Sequence, residues 1–249
     1  MSDERVGMNK DIAPKREITP EVRRRIIQWL SKAVMGIIVY SLILFLSAGR
    51  LNWLWGWVLL ALLTIHLAAQ PLLLLPSNPE LLAEREKGFL YKEVKGWDKW
   101  LTTLAGGMML LSWLVAGLDF RFQWTGPIPL IYHLGGFLIT SLGYTLFMWA
   151  MLANAFFSEG VRIQPERGHI VATGGPYGYV RHPGYVGVIL THLATPFLLG
   201  SLWALLPALG LVVVFVGRTW LEDQTLLAEL PGYKDYARQT RYRLLPGMW

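Results

Sequence analysis

The stretch HPGYVGVILTHLATPFLLGSLWALLPALGLVVVFVG, residues 182–217, contains no Asp, Glu, Lys or Arg. A membrane-spanning helix needs about 20 mostly apolar residues, so this stretch is too long for one such helix and long enough for two. Gly200 and Ser201, near its middle, are typical of a tight turn. The stretch therefore predicts a hairpin of two transmembrane helices.

Further uncharged runs precede the hairpin, at residues 33–49, 51–79, 100–118 and 122–158. Each run can hold one span. Pro71 is expected to kink or end the second helix, and the breaker string GPIP is expected to delay the start of the fourth to about Leu130. With 53% apolar and 16% charged residues, the chain is predicted to be an all-α, polytopic transmembrane helical bundle of about six spans.

The basic residues indicate the orientation of this bundle. With the N-terminus inside, the inner segments hold 21 of the 23 Lys and Arg residues, and only Arg50 and Arg121 fall on the outer side. Lys and Arg are retained on the cytoplasmic side of a membrane, so both termini are predicted to be cytoplasmic, at the cell inner membrane if the source is bacterial. Because these charges lie in loops, the net charge of +6 does not indicate a nucleic-acid partner.

Several segments outside the spans also carry predictions. The first apolar run is interpreted as a retained helix, because no small-residue cleavage site follows it. The segment 78–97 mixes Leu and Phe with charged residues and is predicted to be an interfacial helix, with a solvated loop as the alternative. The tail is predicted to break at Pro231 and Gly232 and to continue as a cytosolic C-terminal helix. The absence of cysteine excludes disulfides, thiolate metal sites and a cysteine nucleophile.

The polar loop between the fourth and fifth spans contains the sequence HIVATGGPYGYVRHPGYVG at residues 169–187. Its glycines permit close approach of the backbone to a ligand, and its tyrosines offer ring faces that attract a cation such as a sulfonium. Arg181 and His182 precede the fifth helix, with Pro183 at a first-turn position that tolerates proline. Turns or headgroup anchoring explain each residue singly, but together they predict a ligand-binding loop.

A second group of charges lies at the inner end of the sixth helix. Arg218 and Glu222 are four residues apart and so share one helix face, with Asp223 beside them. Ionisable residues near a bilayer are functional candidates by default, and an arginine can grip a carboxylate with two hydrogen bonds. The structural alternative is an interfacial salt bridge between Arg218 and Glu222.

Common cofactor and nucleophile motifs do not occur in the chain. It has no G-x-G-x-x-G between a strand and a helix and no G-x-x-x-x-G-K-[ST], which excludes a soluble Rossmann-type domain. The absence of G-x-S-x-G and H-E-x-x-H excludes hydrolase and zinc-protease interpretations. The isolated His66, His133 and His192 lie in apolar helices, and no metal site is predicted.

The order of these motifs resembles the isoprenylcysteine carboxyl methyltransferase family. The resemblance rests on residues 169–187, a helical hairpin, the pattern R-x-x-x-E-[ED]-x-x-L that begins at Arg218, and a trailing G-Y-x-x-Y that begins at Gly232. It covers the C-terminal third of the chain, and the first four spans have no comparable signature. The resemblance implies an S-adenosylmethionine-dependent membrane methyltransferase that acts on a lipophilic acceptor, with a carboxylate as the preferred acceptor group.

The predicted spans divide the chain into three parts, and the resemblance implies a set of site residues in the last of them. Residues 1–32 would be an N-terminal cytoplasmic segment, 33–153 the first four spans, and 154–249 the catalytic region. Arg218 and Glu222 would organise the acceptor, and the acidic role is left open between Glu222 and Asp223. The residues implied to bind the cofactor are Gln164, His169, Gly175, Tyr177, Tyr179, Arg181, His182, Pro183, Tyr185 and Gly187.

The expected partners are membrane lipids and a lipophilic or lipid-linked substrate, and the oligomeric state is left open. A carboxylate acceptor needs no general base because it is ionised at neutral pH, whereas an amine or thiol would need Glu222 or His182. One alternative is an NADPH-dependent lipid or sterol reductase, which is similar through the same region and would use Arg162, Arg167 and Arg181 for the 2′-phosphate. The other is a lipid-binding membrane protein without enzymatic activity.

Overall fold

A computed structural model describes residues 19–249, and the polar start of the predicted N-terminal segment, residues 1–18, lies outside the described residues. The described part contains helices, turns and irregular segments, and no β-strand. Its α-helices are α1 (Pro20–Ala48), α2 (Leu54–Ser77), α3 (Pro79–Arg85), α4 (Gly96–Phe122), α5 (Leu130–Leu152), α6 (Pro183–Leu199), α7 (Leu205–Glu229) and α8 (Tyr233–Gln239).

Five of the described helices, α1, α2, α4, α5 and α7, are long and apolar enough to cross a membrane. Helix α6 is also apolar, but its 17 residues rise only about 25 Å, less than the ~30 Å hydrocarbon core of a bilayer. It runs antiparallel along α5, because Gly184 lies against Ala150 near one end and Leu198 lies against Gly136 near the other. Where about six spans are predicted, the described residues thus contain five candidate spans and one shorter apolar helix, α6.

The predicted breaks between helices are confirmed. Helix α5 begins at Leu130, directly after the GPIP string. Gly200 ends α6 with a φ of 78°, the left-handed conformation that glycine adopts without strain. The break before α8 falls at Gly232, whose φ is 82°. The chain reverses direction after Gly200, and α6 and α7 form the predicted hairpin.

Of the two effects expected of Pro71, a kink or an end of the second helix, the structure excludes the end. Helix α2 continues through Pro71 and Pro76 to Ser77. Proline is tolerated in membrane helices when neighbouring groups satisfy the freed backbone positions. Helix α1 begins well before residue 33, because the Thr19 hydroxyl caps it by accepting a hydrogen bond from the Val22 N–H at 3.3 Å.

The segment 78–97 is not a single helix. Only α3 and the first residues of α4 are helical in this segment, and turns occupy most of the remainder. Leu81 and Leu82 of α3 are 1% and 0% exposed and pack with Ile26 and Trp29 of α1. The helical part is therefore buried against the bundle, which places Arg85, its last residue, inside the protein. The interfacial location of this segment and the division at residue 153 remain predictions.

Helices α5 and α6 touch through their backbones. A Cβ atom added to Gly143 would lie 2.7 Å from the carbonyl oxygen of Gly187, and one added to Gly187 would lie 2.7 Å from the carbonyl oxygen of Gly143. Small residues allow this close packing between membrane helices, where van der Waals contact replaces the hydrophobic effect. The contact fixes the start of α6 relative to the end of α5.

We predict that Gly136→Ala destabilises the bundle and that Gly135→Ala does not. A Cβ on Gly136 would lie 2.3 Å from the backbone nitrogen of Leu198, whereas no atom lies within 4 Å of a Cβ on Gly135. Overpacking of this kind costs about 1–3 kcal/mol, and alanine favours the helix at the open position. Thermal unfolding of both variants in detergent measures the difference. Equal melting temperatures would contradict the close α5–α6 contact.

Candidate active site

A cavity of about 300 Å³ lies at the end of the bundle where α4 and α6 begin and α5 and α7 end. Its wall is formed by the connecting loop (residues 153–182), the start of α4, the end of α5, the start of α6, the second half of α7, α8 and the end of α3. The loop motif and the charged group of α7 therefore meet in one place. The predicted site residues that line the cavity are His169, Tyr177, Arg181, His182, Tyr185, Arg218 and Glu222.

Asp223 is fully buried and lies outside the cavity wall. Its Oδ1 accepts hydrogen bonds from Arg181 Nε at 2.8 Å and from the Tyr233 hydroxyl at 2.9 Å. Its Oδ2 accepts from Arg181 Nη2 at 2.9 Å and from Arg243 Nε at 2.8 Å. One carboxylate thus fastens the connecting loop, α8 and the C-terminal tail to α7. Of the two neighbouring acids, Glu222 is the one that faces the cavity.

Arg181 contributes to the cavity wall, but protein groups engage all three of its nitrogens. Its Nε and Nη2 bond Asp223, as described above. Its Nη1 donates to the backbone carbonyls of Thr240 at 3.0 Å and Arg241 at 2.9 Å. The Arg181 backbone N–H also donates to the carbonyl of Tyr242 at 2.9 Å. This arginine therefore holds the tail against the connecting loop.

Arg218 pairs with an acid that its helical spacing does not indicate. Its Nε donates to Asp98 Oδ1 at 2.6 Å, and its Nη2 donates to Asp98 Oδ2 at 3.1 Å and to the Glu159 carbonyl at 2.7 Å. Asp98 is fully buried in the first turn of α4 and also accepts the Val161 N–H at 2.7 Å. Arg218 thus joins α7 to α4 and the connecting loop, and the salt bridge to Glu222 considered from the sequence does not form.

Tyr185 and Glu222 form the polar centre of the cavity. The Tyr185 hydroxyl, on α6, donates a hydrogen bond to the Glu222 carboxylate, on α7. The Tyr185 ring lies 5.0 Å from the Arg218 guanidinium carbon and is nearly parallel to the His182 ring at 5.7 Å. A carboxylate and aromatic faces are therefore presented together to the cavity.

His169 and Gln164 occupy different places in the loop: His169 lines the cavity, and Gln164 is buried behind it. The Gln164 N–H donates to His169 Nδ1 at 3.3 Å, so the proton of the neutral ring is on Nε2. Burial, with a further contribution from nearby arginines, lowers the pKa of His169 to about 4, and the ring is neutral at pH 7. Gln164 is fully buried outside the cavity wall, and its side chain donates to the Phe156 carbonyl at 2.9 Å. It orders the loop.

Tyr177 connects the loop to α8. It is buried, its hydroxyl accepts a hydrogen bond from Asn154 Nδ2 at 3.2 Å, and its carbonyl accepts from the Tyr236 hydroxyl at 2.8 Å. Burial raises the pKa of Tyr236 to about 12, so its phenol remains a donor at neutral pH. These bonds hold α8 over the cavity.

The remaining predicted cofactor residues lie outside the cavity wall. Tyr179 is 69% exposed. Gly175 adopts a φ of 58° at a turn against Trp149, Pro183 is the first residue of α6, and Gly187 packs against α5. These residues shape the loop and the helix, and the residue types alone do not distinguish this function from ligand binding.

Several residues of the cavity wall were not predicted from the sequence. They include Arg85, Asn154, Phe156 and Glu159, and Asp98 stands directly behind the wall. The weak signal for Arg85 and Asp98 was a charge next to a membrane helix. Solvated loops share that signal, so it did not single out these two residues.

The fold and the site define a class: a polytopic α-helical membrane protein with a partly apolar cavity at one end, to which α6, α7 and the loop before them contribute. Residues 136–228 match the isoprenylcysteine carboxyl methyltransferase (ICMT) family. The chain is also similar to the protein-S-isoprenylcysteine O-methyltransferase of Schizosaccharomyces pombe, with 33% identity over 112 residues, 44% of this chain and 48% of that protein. The chain thus matches about half the length of this curated relative. The match to this family is confined to residues 136–228, which include α6, most of α7 and the connecting loop.

We predict that Asp223→Asn frees the C-terminal tail and that Glu222→Gln leaves it in place. Breaking a buried charge network by removing one partner costs about 3–5 kcal/mol, and Arg181, Tyr233 and Arg243 share the Asp223 carboxylate. Limited trypsin digestion should cleave the tail at Arg243 faster in Asp223→Asn than in the wild type or Glu222→Gln. Equal cleavage rates in the three proteins would refute the anchoring function of Asp223.

Proposed function

We propose that this protein is an integral membrane methyltransferase that transfers a methyl group from S-adenosylmethionine to the carboxylate of a lipophilic, isoprenylcysteine-like acceptor. The family match and the similarity to an O-methyltransferase support methyl transfer. The observation that carries the proposal is the hydrogen bond from Tyr185 to Glu222, because it joins the loop motif to the α7 motif inside one cavity.

The chemistry of the cavity fits a cationic methyl donor. Its wall includes the Glu222 carboxylate and the rings of Tyr185 and Phe215. A carboxylate attracts a sulfonium by charge, and the negative face of an aromatic ring attracts it as well. His169 adds a neutral ring whose Nε2–H can donate a hydrogen bond. When bound, S-adenosylmethionine would supply an electrophilic methyl group on its sulfonium.

A carboxylate acceptor requires no catalytic base from the protein, because it is ionised at neutral pH. One of its oxygens forms the new bond to the methyl carbon as the bond from carbon to sulfur breaks, so an anion and a cation become two neutral products. Positioning supplies most of the rate enhancement in such a displacement. The apolar side chains of Phe147, Phe157 and Val188 in the wall favour this charge neutralisation by limiting water.

The two sequence motifs contribute to this reaction in different ways. Glu222 lies next to the reacting groups, where its charge faces the donor. Arg218 acts as a positioning residue, because Asp98 and the Glu159 carbonyl already engage its Nε and Nη2. Asp223 holds the tail and α8 in place behind the cavity.

The contacts of the basic residues weigh against a reductase. An NADPH site would need arginines that are free to bind the 2′-phosphate. Arg162 instead bonds three carboxylates, Arg167 bonds a side-chain amide and a backbone carbonyl, and Arg181 bonds Asp223 and two carbonyls. All three cations are engaged by the protein itself.

We further propose that the end of the bundle holding the cavity faces the cytoplasm, so that the donor enters from the cytosol and the acceptor from the bilayer. This end contains the start of α1, the segment between α3 and α4, the connecting loop and α8, which are the basic segments of the sequence. Arg50 and Arg121 lie at the opposite end, beside the α1–α2 and α4–α5 turns. The distribution of Lys and Arg supports this orientation.

We predict that the purified protein binds S-adenosylhomocysteine and that Glu222→Gln loses most turnover. The variant lacks the charge that faces the sulfonium, and electrostatic groups of this kind contribute about 10²–10³ in rate. Methyl-label transfer to a farnesylated N-acetylcysteine in detergent measures turnover. Glu229→Gln is the matched control, because Glu229 is on the same helix but pairs with Lys95 at 2.7 Å outside the cavity.

The outcomes of this experiment separate the candidate functions. Tight NADPH binding with no response to S-adenosylhomocysteine would overturn the proposal in favour of a reductase. Donor binding without a labelled hydrophobic product would reject the acceptor class. Full turnover in Glu222→Gln would reject the function assigned to that carboxylate.

We predict that Trp124→Cys is labelled from outside intact cells and that Gln239→Cys is labelled only after the membrane is opened. Both positions are exposed, one in the α4–α5 turn and the other at the end of α8. The chain has no native cysteine, so each variant carries a single reactive thiol. Reaction with a membrane-impermeant maleimide measures the orientation, and the reverse labelling pattern would invert it.

A further inference from the structure

Among residues 19–249, four arginines are buried near the cavity, and three of them are well supplied with protein acceptors. Arg162 bonds three carboxylates. Arg181 bonds Asp223 and two backbone carbonyls, and Arg218 bonds Asp98 and one backbone carbonyl. The fourth arginine, Arg85, differs from the others.

Arg85 is 8% exposed and lines the cavity. Within the described part of the chain, its Nε is a buried donor that has no acceptor. Its ion-pair partner is Glu159, whose Oε1 lies 3.3 Å from Arg85 Nη2 and whose side chain is 33% exposed. The rings of Phe147 and Phe157 each lie 5.9 Å from the guanidinium carbon. The charge is thus held mainly by aromatic faces and one long ion pair.

A buried guanidinium that has a donor without an acceptor can bind an anion. Arginine has five N–H donors in a planar fork that matches the two oxygens of a carboxylate. Buried hydrogen-bond donors nearly always have an acceptor, so a buried donor without one in a native protein calls for an explanation. A second buried polar atom of the cavity wall, Thr102 Oγ1, also has no partner in residues 19–249. Two polar groups without hydrogen-bond partners in one cavity indicate that the polar end of a ligand binds there.

We propose that Arg85 binds the carboxylate of a cavity ligand, with Glu159 as the group that the ligand displaces. This inference rests on the proposed methyl transfer and identifies the cation that holds an anionic ligand in that site. Glu159 can leave Arg85 because it is partly exposed and retains contact with solvent. Arg218 is less suited to this function, because Asp98 already occupies its fork.

The carboxylate recognised by Arg85 has two possible sources in the proposed reaction. One is the carboxylate of the lipophilic acceptor, and the other is the aminocarboxylate end of the methyl donor. Both present the same two oxygens to the guanidinium. Arg85 precedes residues 136–228, so it belongs to the part of the chain that the family match does not include.

The test uses Arg85→Gln, which removes the charge, Arg85→Lys, which keeps the charge without the fork, and Glu159→Gln, which removes the competing carboxylate. Lys87→Gln is the matched control, because it removes a nearby positive charge that pairs with Glu84 outside the cavity. Calorimetry measures the binding of S-adenosylhomocysteine and of methylthioadenosine, which lacks the aminocarboxylate. Turnover and binding are also measured with farnesylated N-acetylcysteine, and binding with its uncharged carboxamide.

If the acceptor supplies the carboxylate, Arg85→Gln should raise the KM for farnesylated N-acetylcysteine about tenfold or more, since a charge-assisted pair is lost. The carboxamide and S-adenosylhomocysteine should bind as before, and Glu159→Gln should lower the KM. If the methyl donor supplies the carboxylate, Arg85→Gln should weaken the binding of S-adenosylhomocysteine about tenfold or more and leave the affinity for methylthioadenosine unchanged. In either case Arg85→Lys should fall between the wild type and Arg85→Gln.

Two results would overturn the inference. The first is unchanged affinity and KM in both Arg85 variants. The second is equal weakening of the charged and uncharged ligands, which would make Arg85 a structural residue. Failure of the wild type to bind S-adenosylhomocysteine would instead overturn the proposed function, and this inference with it.

Discussion

The architecture of the cavity depends on one buried carboxylate, that of Asp223. It accepts hydrogen bonds from the connecting loop through Arg181, from α8 through Tyr233 and from the tail through Arg243. A single acid in a membrane helix would be costly to bury, but three partners compensate it and share its charge. Leu226 and Leu227 of α7 share one apolar cluster with Tyr233 and Tyr236 of α8, which adds to this attachment. Asp223 thus holds α8, which contributes to the cavity wall, from a position outside that wall.

Neighbouring acids on α7 make different contacts because consecutive residues of a helix point in directions about 100° apart. Glu222 faces the cavity and accepts from Tyr185, whereas Asp223 faces the tail. The sequence left open which of the two acids acts in the site, and the geometry favours Glu222 for contact with a cavity ligand. Glu222 lies in the cavity wall, and Asp223 bonds α8 and the tail behind it.

The helices were largely predictable from the sequence, and the contacts between them were not. Uncharged runs and the breaks at Leu130, Gly200 and Gly232 located the spans, because the bilayer imposes a length and excludes charge. The partner of Arg218 was not predictable, since local spacing pointed to Glu222 and the actual acceptor, Asp98, is 120 residues away. Local patterns report neighbours on one helix, whereas tertiary packing selects the partner.

Local patterns also do not show which residues of the connecting loop line the cavity, and only some of the predicted ones do. His169 and Tyr185 line the cavity, while Tyr179 is exposed and Gly187 serves the α5–α6 contact. Glycine, proline and tyrosine are used both for turns and for ligand contact. Residue type therefore indicated that the loop as a whole lies at the cavity, but it did not indicate which of its side chains line the cavity.

The cavity wall combines two parts of the chain that relate differently to the family. Tyr185 and Glu222 lie within the matched residues 136–228, whereas Arg85 and Thr102 precede them. Glu159 connects the two parts, because its carbonyl accepts from Arg218 and its carboxylate pairs with Arg85. An anion that displaces this carboxylate leaves the carbonyl contact in place, since the two groups are separate acceptors. Binding at Arg85 can therefore change with the ligand while the α4–α7 link, and with it the matched part of the site, stays assembled.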